Sequence, residues 1–363
     1  MSENMKKKLA IFAAGTGGHV YPGISIANQL IAENIDIIWI GTKKGIEKKL
    51  VEKEKIHIDF IDFSGVRGKG LFIIMKLPVK LIRATYQAFK ILKKTKPNAV
   101  LSMGGYVSVP CVIASKILGL PILIHEQNII FGLANKISKF FANSVITGFP
   151  MNLDSNKYKF LGNPTRYEKI ETNKNFQVKK EINIAVIGGS LGAKIFNEIF
   201  PKTLFEVLKK TSLKINVIHQ TGKTYKIAEL QYKSFFADID LREYIDNMGQ
   251  VYDWCDILIC RGGAITLTEI MNLGVPAVVI PYPYAVDNHQ MKNCIYLEEN
   301  DSIILIDQKN LSEANLANII LKLIDNQDLL KTLSENLLKL NKKNATKEIC
   351  NHIKNVLGIY NEK

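Results

Sequence analysis

A glycine-rich turn between a predicted strand and a predicted helix lies near the start of the chain. Four apolar residues at 9–12 have the pattern of a short buried strand. Gly15, Gly17 and Gly18 follow at once, and residues 24–33 suit a helix. This order is typical of α/β folds, which bind ligands beyond the carboxyl ends of their strands. The turn therefore favours a fold of alternating strands and helices.

The same turn contains His19, which makes it a candidate site for chemistry. Backbone N–H groups at a helix N-terminus favour anionic or polar ligand groups, and histidine titrates near neutral pH. His19 is therefore a candidate general base, with a surface histidine in a capped turn as the alternative. A nicotinamide site is not indicated. The dinucleotide fingerprint needs a third glycine where Val20 stands, and no acid ends the predicted strand at 37–40.

Apolar runs alternate with helical stretches along the whole chain. The predicted strands are 9–12, 37–40, 58–62, 99–102, 122–124, 145–147, 182–187, 215–219, 257–259, 277–280 and 302–306. After residue 160 the plan restarts with a strand, a second glycine turn and a helix, and the polar run 167–181 has the composition of a linker. We predict an α/β protein with two Rossmann-like domains whose parallel sheets face each other across a cleft. The expected boundaries are 1–163, 164–340 and 341–363, the last being a helix that can pack back on the first domain.

Composition excludes several classes of protein. The chain has 363 residues, of which 47% are hydrophobic, so a full globular core is expected. No window reaches the ~18 consecutive apolar residues of a transmembrane helix, and the polar, basic start does not resemble a signal peptide. Five scattered cysteines without a CxxC pair support neither a disulfide framework nor a zinc site. They fit a reducing cytoplasm best.

A basic window lies between Asp62 and Glu126, where ten lysines and arginines occur without any acid. From 71 to 94 the bases are interleaved with apolar residues, which suits an anionic membrane surface. The residues expected to insert partly into such a surface are Phe72, Ile73, Met75, Leu77 and Val79. A solvated helix face is the simplest alternative. Nucleic acid competes as a partner, but the apolar neighbours favour lipid, so no nucleic-acid partner is expected.

Polar or glycine-rich loops follow several predicted strands, on the ligand side of a parallel sheet. The loop 188–193 suits a diphosphate, with a close-packed turn as the alternative. In the loop after 122–124, His125 and Glu126 are either functional or simply a core residue and a helix cap. In the helix after 257–259, Glu269 either accepts ribose hydroxyls or complements the helix dipole.

Nine motifs occur in order and span most of the chain. They are GTGGH at 15–19, SGVRGKG at 64–70, GGYV at 104–107, HEQN at 125–128 with GLANK at 132–136, GNPTR at 162–166, GGSLGA at 188–193, YIDNM at 244–248, RGGAIT at 261–266 with Glu269, and DNHQ at 287–290. Together they resemble the undecaprenyl-diphospho-muramoylpentapeptide β-N-acetylglucosaminyltransferase family of the GT-B superfamily.

The resemblance implies a GT-B fold and an inverting hexosyl transfer from UDP-N-acetylglucosamine (UDP-GlcNAc). The implied acceptor is the C4 hydroxyl of a lipid-linked muramyl pentapeptide, and the product is lipid II. The first domain would bind the acceptor and the membrane, and the second the donor. Peptidoglycan synthesis, cell-wall biogenesis, cell shape and cell division are the implied processes. The implied place is the cytoplasmic face of the cell inner membrane, with peripheral attachment.

The resemblance also implies roles for matching positions. His19 would be the base for the acceptor hydroxyl. Thr16, Gly17 and Gly18 would approach the diphosphate and sugar, and Asn128 would contact the N-acetylglucosamine. Arg166 and Ser190 would lie on the nucleotide side. The backbone of Ile245 would pair with uracil, and Glu269 would bind the ribose. Gln290 would contact sugar hydroxyls. The backbone donors would come from Ala264, Ile265 and Thr266. Two positions depart from the family pattern, because His289 stands where some family members carry a second Gln and Gly262 stands where relatives often have Ser or Ala.

No cofactor or obligatory metal is expected, because Asp238-Ile239-Asp240, the one Asp-x-Asp triplet, lies in a polar stretch that does not follow an apolar strand. Three alternatives remain open. A UDP-sugar transferase for another membrane glycolipid would share the donor site. A UDP-GlcNAc epimerase would also fit two facing domains. A basic nucleic-acid-binding protein would leave the ordered glycine loops unexplained.

Overall fold

The computed structural model describes residues 6–65, 75–153, 155–167, 176, 180–189, 191–233 and 239–359. The chain divides into two compact units. Unit 1 comprises Met1–Arg166 together with Asn344–Lys363, and unit 2 comprises Tyr167–Lys343. The chain therefore leaves unit 1 and later returns to it.

Unit 1 is built on a parallel sheet with the strand order β3-β2-β1-β4-β5-β6-β7. Its strands are β1 Lys8–Phe12, β2 Asp36–Gly41, β3 His57–Phe60, β4 Ala99–Ser102, β5 Ile122–Glu126, β6 Ser144–Thr147 and β7 Tyr158–Phe160. Within β1, Leu9 and Ile11 belong to one core and Ala10 and Phe12 to another. The central strands are thus covered on both faces, which explains their continuous apolar runs.

Helices cover both faces of this sheet. They are α1 Gly17–Ala32, α2 Ile46–Lys53, α3 Leu77–Thr95, α4 Ser108–Ile117 and α5 Leu133–Ser138. Apolar residues of α1 join the core that contains Leu9, and those of α3 and α4 join the core that contains Phe12. No helix in the described part of the chain is long and apolar enough to cross a bilayer.

Unit 2 is built on a second parallel sheet, with the order β10-β9-β8-β11-β12-β13. Its strands are β8 Glu181–Ile187, β9 Lys214–Gln220, β10 Asp240–Arg242, β11 Ile257–Cys260, β12 Ala277–Val279 and β13 Ile304–Leu305. Its helices are α6 Lys194–Leu208, α7 Tyr225–Lys233, α8 Met248–Trp254, α9 Ala264–Leu273, α10 His289–Glu298, α11 Glu313–Ile324 and α12 Gln327–Leu340. Short 3-10 turns occur at Gly222–Thr224, Val286–Asn288 and Gln308–Asn310. The predicted pair of Rossmann-like α/β domains is confirmed.

The last described helix, α13 Ala345–Val356, belongs to unit 1. Ile349, Cys350 and Ile353 are fully buried in the core that α1 also lines. Lys354 Nζ lies 2.6 Å from a carboxylate oxygen of Glu33, the residue that ends α1. Apolar burial and this ion pair hold α13 against the first unit.

Some predictions fall on residues outside the described ranges. These include most of the linker 167–181, residues 66–74 with Phe72 and Ile73, and Ser190. The three-residue strands β7 and β10 were not predicted, because neither has a continuous apolar run. All five cysteines are buried free thiols.

Candidate active site

The first glycine turn joins β1 to α1 in unit 1. Thr16 has extended backbone, and its carbonyl accepts hydrogen bonds from the N–H groups of His19 at 3.1 Å and Val20 at 3.2 Å. The side chain of Thr16 is exposed and that of His19 is half-buried. Gly17 and Gly18 are the first residues of α1, so their N–H groups lie where a helix leaves its donors unpaired. The turn therefore combines backbone donors with an accessible imidazole.

The His19 imidazole is held by its own turn and by the loop after β4. Its Nδ1 lies 3.2 Å from Thr16 Oγ1. A Cβ on Gly104 would lie 3.0 Å from Cδ2 and 3.1 Å from Nε2 of His19. Gly104 and Gly105 have φ of +94° and +82°, and a Cβ on Gly105 would collide with the carbonyl oxygen of Ala14. Both glycines are needed for the close approach of this loop to the turn.

His125, at the end of β5, is fully buried. Its Nε2 lies 3.0 Å from the carbonyl oxygen of Gly162, so Nε2 carries the proton and Nδ1 is unprotonated in the neutral ring. Burial lowers the pKa of His125 to about 4, and the nearby His19 acts in the same direction. His125 is therefore a neutral core residue at physiological pH, as one of the two sequence interpretations had it.

Glu126 is also buried and holds the loop after β5. Its carboxylate accepts hydrogen bonds from the backbone N–H and side-chain amide of Asn128 at 3.0 and 3.1 Å, from Gly132 N–H at 3.0 Å, and from Asn135 Nδ2 at 2.9 Å. Burial raises the pKa of Glu126. Because Gly132 precedes α5, Glu126 acts as a helix cap and also fixes the side chain of Asn128.

Arg166 is the last residue of the first segment of unit 1. Its side chain is exposed, and its guanidinium carbon lies 4.2 Å from the ring centroid of Tyr21 in α1. This cation–π contact places Arg166 beside α1, the helix that follows the first glycine turn.

In unit 2 a cavity of about 660 Å³ opens beside the second glycine turn. It is lined by Ile187, Gly188, Gly189, Leu191, Gly192, Ala193, Lys194, Ile195, Glu198, Arg261, Gly263, Thr266, Tyr282, Gln290 and Gln308. The predicted residues Thr266 and Gln290 therefore share one space with the turn at 188–193. Gly189 has φ of +84°, and a Cβ there would meet no described atom within 4 Å, so a ligand has room to approach this backbone.

The start of α9 supplies the predicted backbone donors. Gly263 precedes the helix, and Ala264, Ile265 and Thr266 form its first turn, where N–H groups have no partner within the helix. Glu269 lies one turn further on and is 6% exposed. Its Oε2 accepts a hydrogen bond from the hydroxyl of Tyr252 at 2.7 Å, which fixes the carboxylate. Neither Glu269 nor Ile245, which is buried in the loop after β10, lines the cavity.

Two positions that depart from the family pattern have local explanations. His289 Nδ1 lies 2.7 Å from the carbonyl oxygen of Val286, so the ring caps the 3-10 turn before α10. A Cβ on Gly262 would lie 2.5 Å from Cys294 Sγ and 2.9 Å from the carbonyl oxygen of Gln290. Gly262 is therefore required by the close packing of α10 on this loop.

Arg261 is a cavity residue to which the sequence assigned no role. Its Nη1 donates to the carbonyl oxygens of Ile280 at 3.0 Å and Pro281 at 3.2 Å, and to Gln308 Oε1 at 2.8 Å. Burial lowers the pKa of its guanidinium to about 10, which still leaves it charged at neutral pH. The sequence feature that could have indicated Arg261 is its position directly after the strand β11. In the Asp-x-Asp triplet, Asp238 lies outside the described residues and Asp240 is paired with Arg242.

Comparisons with known proteins define the family. Residues 9–147 match the glycosyltransferase family 28 N-terminal domain, and residues 183–350 match the glycosyltransferase family 28 C-terminal domain. A UDP-N-acetylglucosamine–N-acetylmuramyl-(pentapeptide) pyrophosphoryl-undecaprenol N-acetylglucosamine transferase from Psychromonas ingrahamii is 36% identical over 96% of this chain and 99% of its own. The transferase of the same name from Pseudoalteromonas translucida is 38% identical over 97% and 99%.

Among solved structures, MurG of Acinetobacter baumannii has 32% sequence identity and a TM-score of 0.81, and the match covers 96% of this chain and 99% of that one. The two α/β units and the cavity beside a glycine turn are those of a glycosyltransferase with a GT-B fold. The chain belongs to the MurG family of glycosyltransferase family 28. The family resemblance drawn from the nine motifs is thereby confirmed.

Proposed function

We propose that the chain transfers N-acetylglucosamine from UDP-GlcNAc to the C4 hydroxyl of undecaprenyl-diphospho-MurNAc-pentapeptide, with inversion at the anomeric carbon. The product is lipid II, an intermediate of peptidoglycan synthesis. The full-length relatives carry the name of this transferase. The observation that carries the proposal is the cavity of unit 2, in which a glycine turn, Thr266 and Gln290 line a space of about 660 Å³.

Unit 2 is the donor-binding unit in this proposal. The diphosphate lies against the N–H groups at 188–193 and at the start of α9, where helix dipoles favour negative charge. The charged guanidinium of Arg261 lines the same cavity and adds a fixed positive charge. Gln290, whose Oε1 accepts the N–H of Tyr282 at 2.9 Å, retains its amide N–H₂ group for sugar hydroxyls. Ile245 and Glu269 take uracil and ribose, and Tyr252 orients the carboxylate.

Unit 1 supplies the general base, His19. Two neighbouring groups are poorer candidates for this role. His125 is fully buried, and Glu126 is 2% exposed with both carboxylate oxygens accepting hydrogen bonds. His19 is half-buried, so an acceptor can reach it. A positioned general base contributes roughly 10²- to 10⁴-fold in rate.

The transfer forms one bond and breaks one bond at the anomeric carbon. The C4 oxygen of the acceptor forms its bond to the anomeric carbon while its proton passes to His19. The bond from that carbon to the diphosphate breaks, and UDP leaves with the electron pair. Backbone dipoles and Arg261 stabilise the charge that develops on UDP, because they are already oriented when the bond breaks.

The decisive experiment measures transfer of labelled N-acetylglucosamine from UDP-GlcNAc to lipid-linked muramyl pentapeptide. We expect product that depends on the muramyl acceptor and is absent with other UDP-sugars. UDP-GlcNAc binding without transfer would contradict the proposal and point to another glycolipid acceptor. Conversion of the donor without any acceptor would point to an epimerase.

We further propose that unit 1 binds an anionic membrane surface peripherally. Four large apolar side chains project at 75, 79, 82 and 86, spaced four, three and four residues apart as on one face of a helix. Met75, Val79, Ile82 and Tyr86 are 71%, 70%, 71% and 57% exposed. Lys80 and Arg83 lie among them on α3. An apolar stripe with adjacent cations suits lipid headgroups, with each cation contributing about 1 kcal/mol near the surface.

Liposome flotation tests the membrane proposal. We expect binding to vesicles containing anionic lipid, weakened in the double variant Val79→Ser with Ile82→Ser. Leu230→Ser is the matched control, because Leu230 is 66% exposed on α7 of unit 2. The proposal is wrong if the protein binds no anionic vesicle at any salt concentration, or if the control weakens binding as much as the double variant.

A further inference from the structure

Glu47 is a fully buried carboxylate on the first turn of α2. Two glycines make room for it. A Cβ on Gly41 would lie 2.7 Å from Glu47 Cγ, and a Cβ on Gly45 would overlap the carboxylate itself. Gly45 has ordinary backbone angles, with φ of −82° and ψ of 163°, so the space, not the backbone conformation, requires glycine there. The chain thus has a cavity shaped for this side chain.

Both oxygens of Glu47 accept hydrogen bonds from distant or neighbouring loops. Oε2 accepts the backbone N–H of Gly15 at 3.2 Å, across 32 residues of sequence. Oε1 accepts both the N–H of Thr42 at 2.9 Å and the hydroxyl of Thr42 at 2.7 Å. In the described part of the chain no lysine or arginine forms an ion pair with this carboxylate. Its two oxygens instead accept from N–H and O–H donors, one of which is the N–H of Gly15 in the first glycine turn.

The network continues to Tyr106. Thr42 uses its hydroxyl proton on Glu47, so Tyr106 must donate its own proton to Thr42 Oγ1, 3.1 Å away. The ring of Tyr106 also packs on Gly15, because a Cβ on Gly15 would lie 3.2 Å from Tyr106 Cε1. Gly15, with φ of +99°, is thus held by its amide on one side and by an aromatic ring on the other.

We propose that Glu47 is a positioning residue for the transfer reaction. It fixes Gly15, and through Gly15 it fixes Thr16, whose carbonyl and hydroxyl hold the backbone and Nδ1 of His19. Glu47 itself is fully buried and does not touch substrate. The proposal rests on the proposed function, because it assigns Glu47 to the base of that reaction. Thr42 and Tyr106 act in the same network.

Glu47→Gln tests the role with little change of volume. In glutamine an N–H₂ donor replaces one of the two accepting oxygens, so either the N–H of Gly15 or the two donors of Thr42 lose their acceptor. We expect kcat for transfer to fall about tenfold, with the KM for UDP-GlcNAc within twofold of wild type. Glu52→Gln, the same change at an exposed position of α2, should leave both constants unchanged. Thr42→Ser should retain activity, and Thr42→Val should lower kcat as Glu47→Gln does.

A double-mutant cycle separates positioning from general loss of structure. If Glu47 acts through His19, Glu47→Gln should lower kcat about tenfold in wild type and less than twofold in a His19→Ala background. An equal fall in both backgrounds, or an unchanged kcat in Glu47→Gln, would overturn the proposal. If Glu47→Gln does not fold, the Thr42→Val and Thr42→Ser pair carries the same cycle. Absence of transfer by the wild-type enzyme would instead refute the proposed function, so the two failures are distinguishable.

Discussion

The imidazole of His19 leaves no room for a side chain on Gly104, because a methyl group there would lie 3.0 Å from His19 Cδ2. Gly104 follows β4, and His19 follows β1, its neighbour in the sheet. Because the carboxyl ends of adjacent parallel strands lie at the same edge, the two loops pack on each other. The absence of a side chain at Gly104 therefore determines the position of the His19 imidazole.

Gly104→Ala should therefore displace the proposed base. We expect kcat for transfer to fall at least tenfold while UDP binding by unit 2 stays near normal. Gly119→Ala is the matched control, because Gly119 also has positive φ, +68°, but a Cβ there meets no described atom within 4 Å. Both variants carry the backbone strain, roughly 1 kcal/mol, and only one moves His19. Equal kinetics of the two variants would exclude this role for Gly104.

Glu269→Gln should weaken UDP binding. A hydrogen bond to a charged group contributes about 1.5–3 kcal/mol, so we expect the Kd for UDP to rise roughly 10- to 150-fold, measured by isothermal titration calorimetry. Tyr252→Phe removes the hydroxyl that orients the carboxylate and should have a smaller effect. Glu299→Gln, at an exposed position of unit 2, is the control. An unchanged Kd in Glu269→Gln would remove this residue from the nucleotide site.

Gly262→Ser should destabilise unit 2. The new Cβ would lie 2.5 Å from Cys294 Sγ, closer than unstrained packing allows. We expect a lower thermal midpoint, by several degrees, and partial recovery when Cys294→Ala is added. Recovery should be incomplete because the carbonyl oxygen of Gln290 lies 2.9 Å from the same Cβ position. Cys294→Ala alone is the reference, and a double variant no more stable than Gly262→Ser would show that Cys294 is not the obstacle.

His219 should make stability depend on pH below neutrality. The ring is fully buried, its Nδ1 lies 2.9 Å from the Tyr232 hydroxyl, and burial lowers its pKa to about 3. The pKa of His219 in the unfolded chain is about 6.5. As pH falls below this value, His219 binds a proton in the unfolded chain and stays neutral in the folded chain. The contribution of His219 to stability is fully present above about pH 6.5 and is lost towards pH 3. Over this range the free energy of unfolding falls by on the order of 1 kcal/mol per pH unit.

The measurement compares thermal midpoints of wild type and His219→Gln at about pH 7 and about pH 5. Wild type should lose more stability between the two values than the variant does, because His219 no longer titrates in the variant. His125, whose pKa is lowered to about 4 by burial, contributes in the same direction in both proteins. Identical pH dependence in the two would show that His219 does not cause the effect.

The fold could largely be predicted because the central strands carry their own signal. Parallel strands buried on both faces need continuous apolar runs, and the glycine turns mark where each strand passes into a helix. The edge strands β7 and β10 lack such runs, since Tyr158–Phe160 and Asp240–Arg242 mix polar and apolar residues. Their pairing depends on neighbours that are distant in sequence.

The candidate site could be predicted only in part. His19 stands out because it lies inside a glycine turn, whereas Gln290, at the start of α10, was assigned only through the family resemblance. Glu47 has no comparable signal, because it is one of two glutamates in the lysine-rich stretch 46–53. One of its hydrogen-bond donors is the N–H of Gly15, 32 residues away. Local pattern does not report a hydrogen bond that depends on the tertiary fold.

The discontinuity of unit 1 has a consequence for how the protein is made. The core of unit 1 includes Ile349, Cys350, Ile353 and Leu357, so it lacks one wall until these residues have been synthesised. Translation at about 5–20 residues per second separates Arg166 from α13 by roughly 10 to 35 seconds. During that interval α1 presents an uncovered apolar strip while unit 2 emerges. The strip is apolar surface that stays exposed only until α13 packs on it.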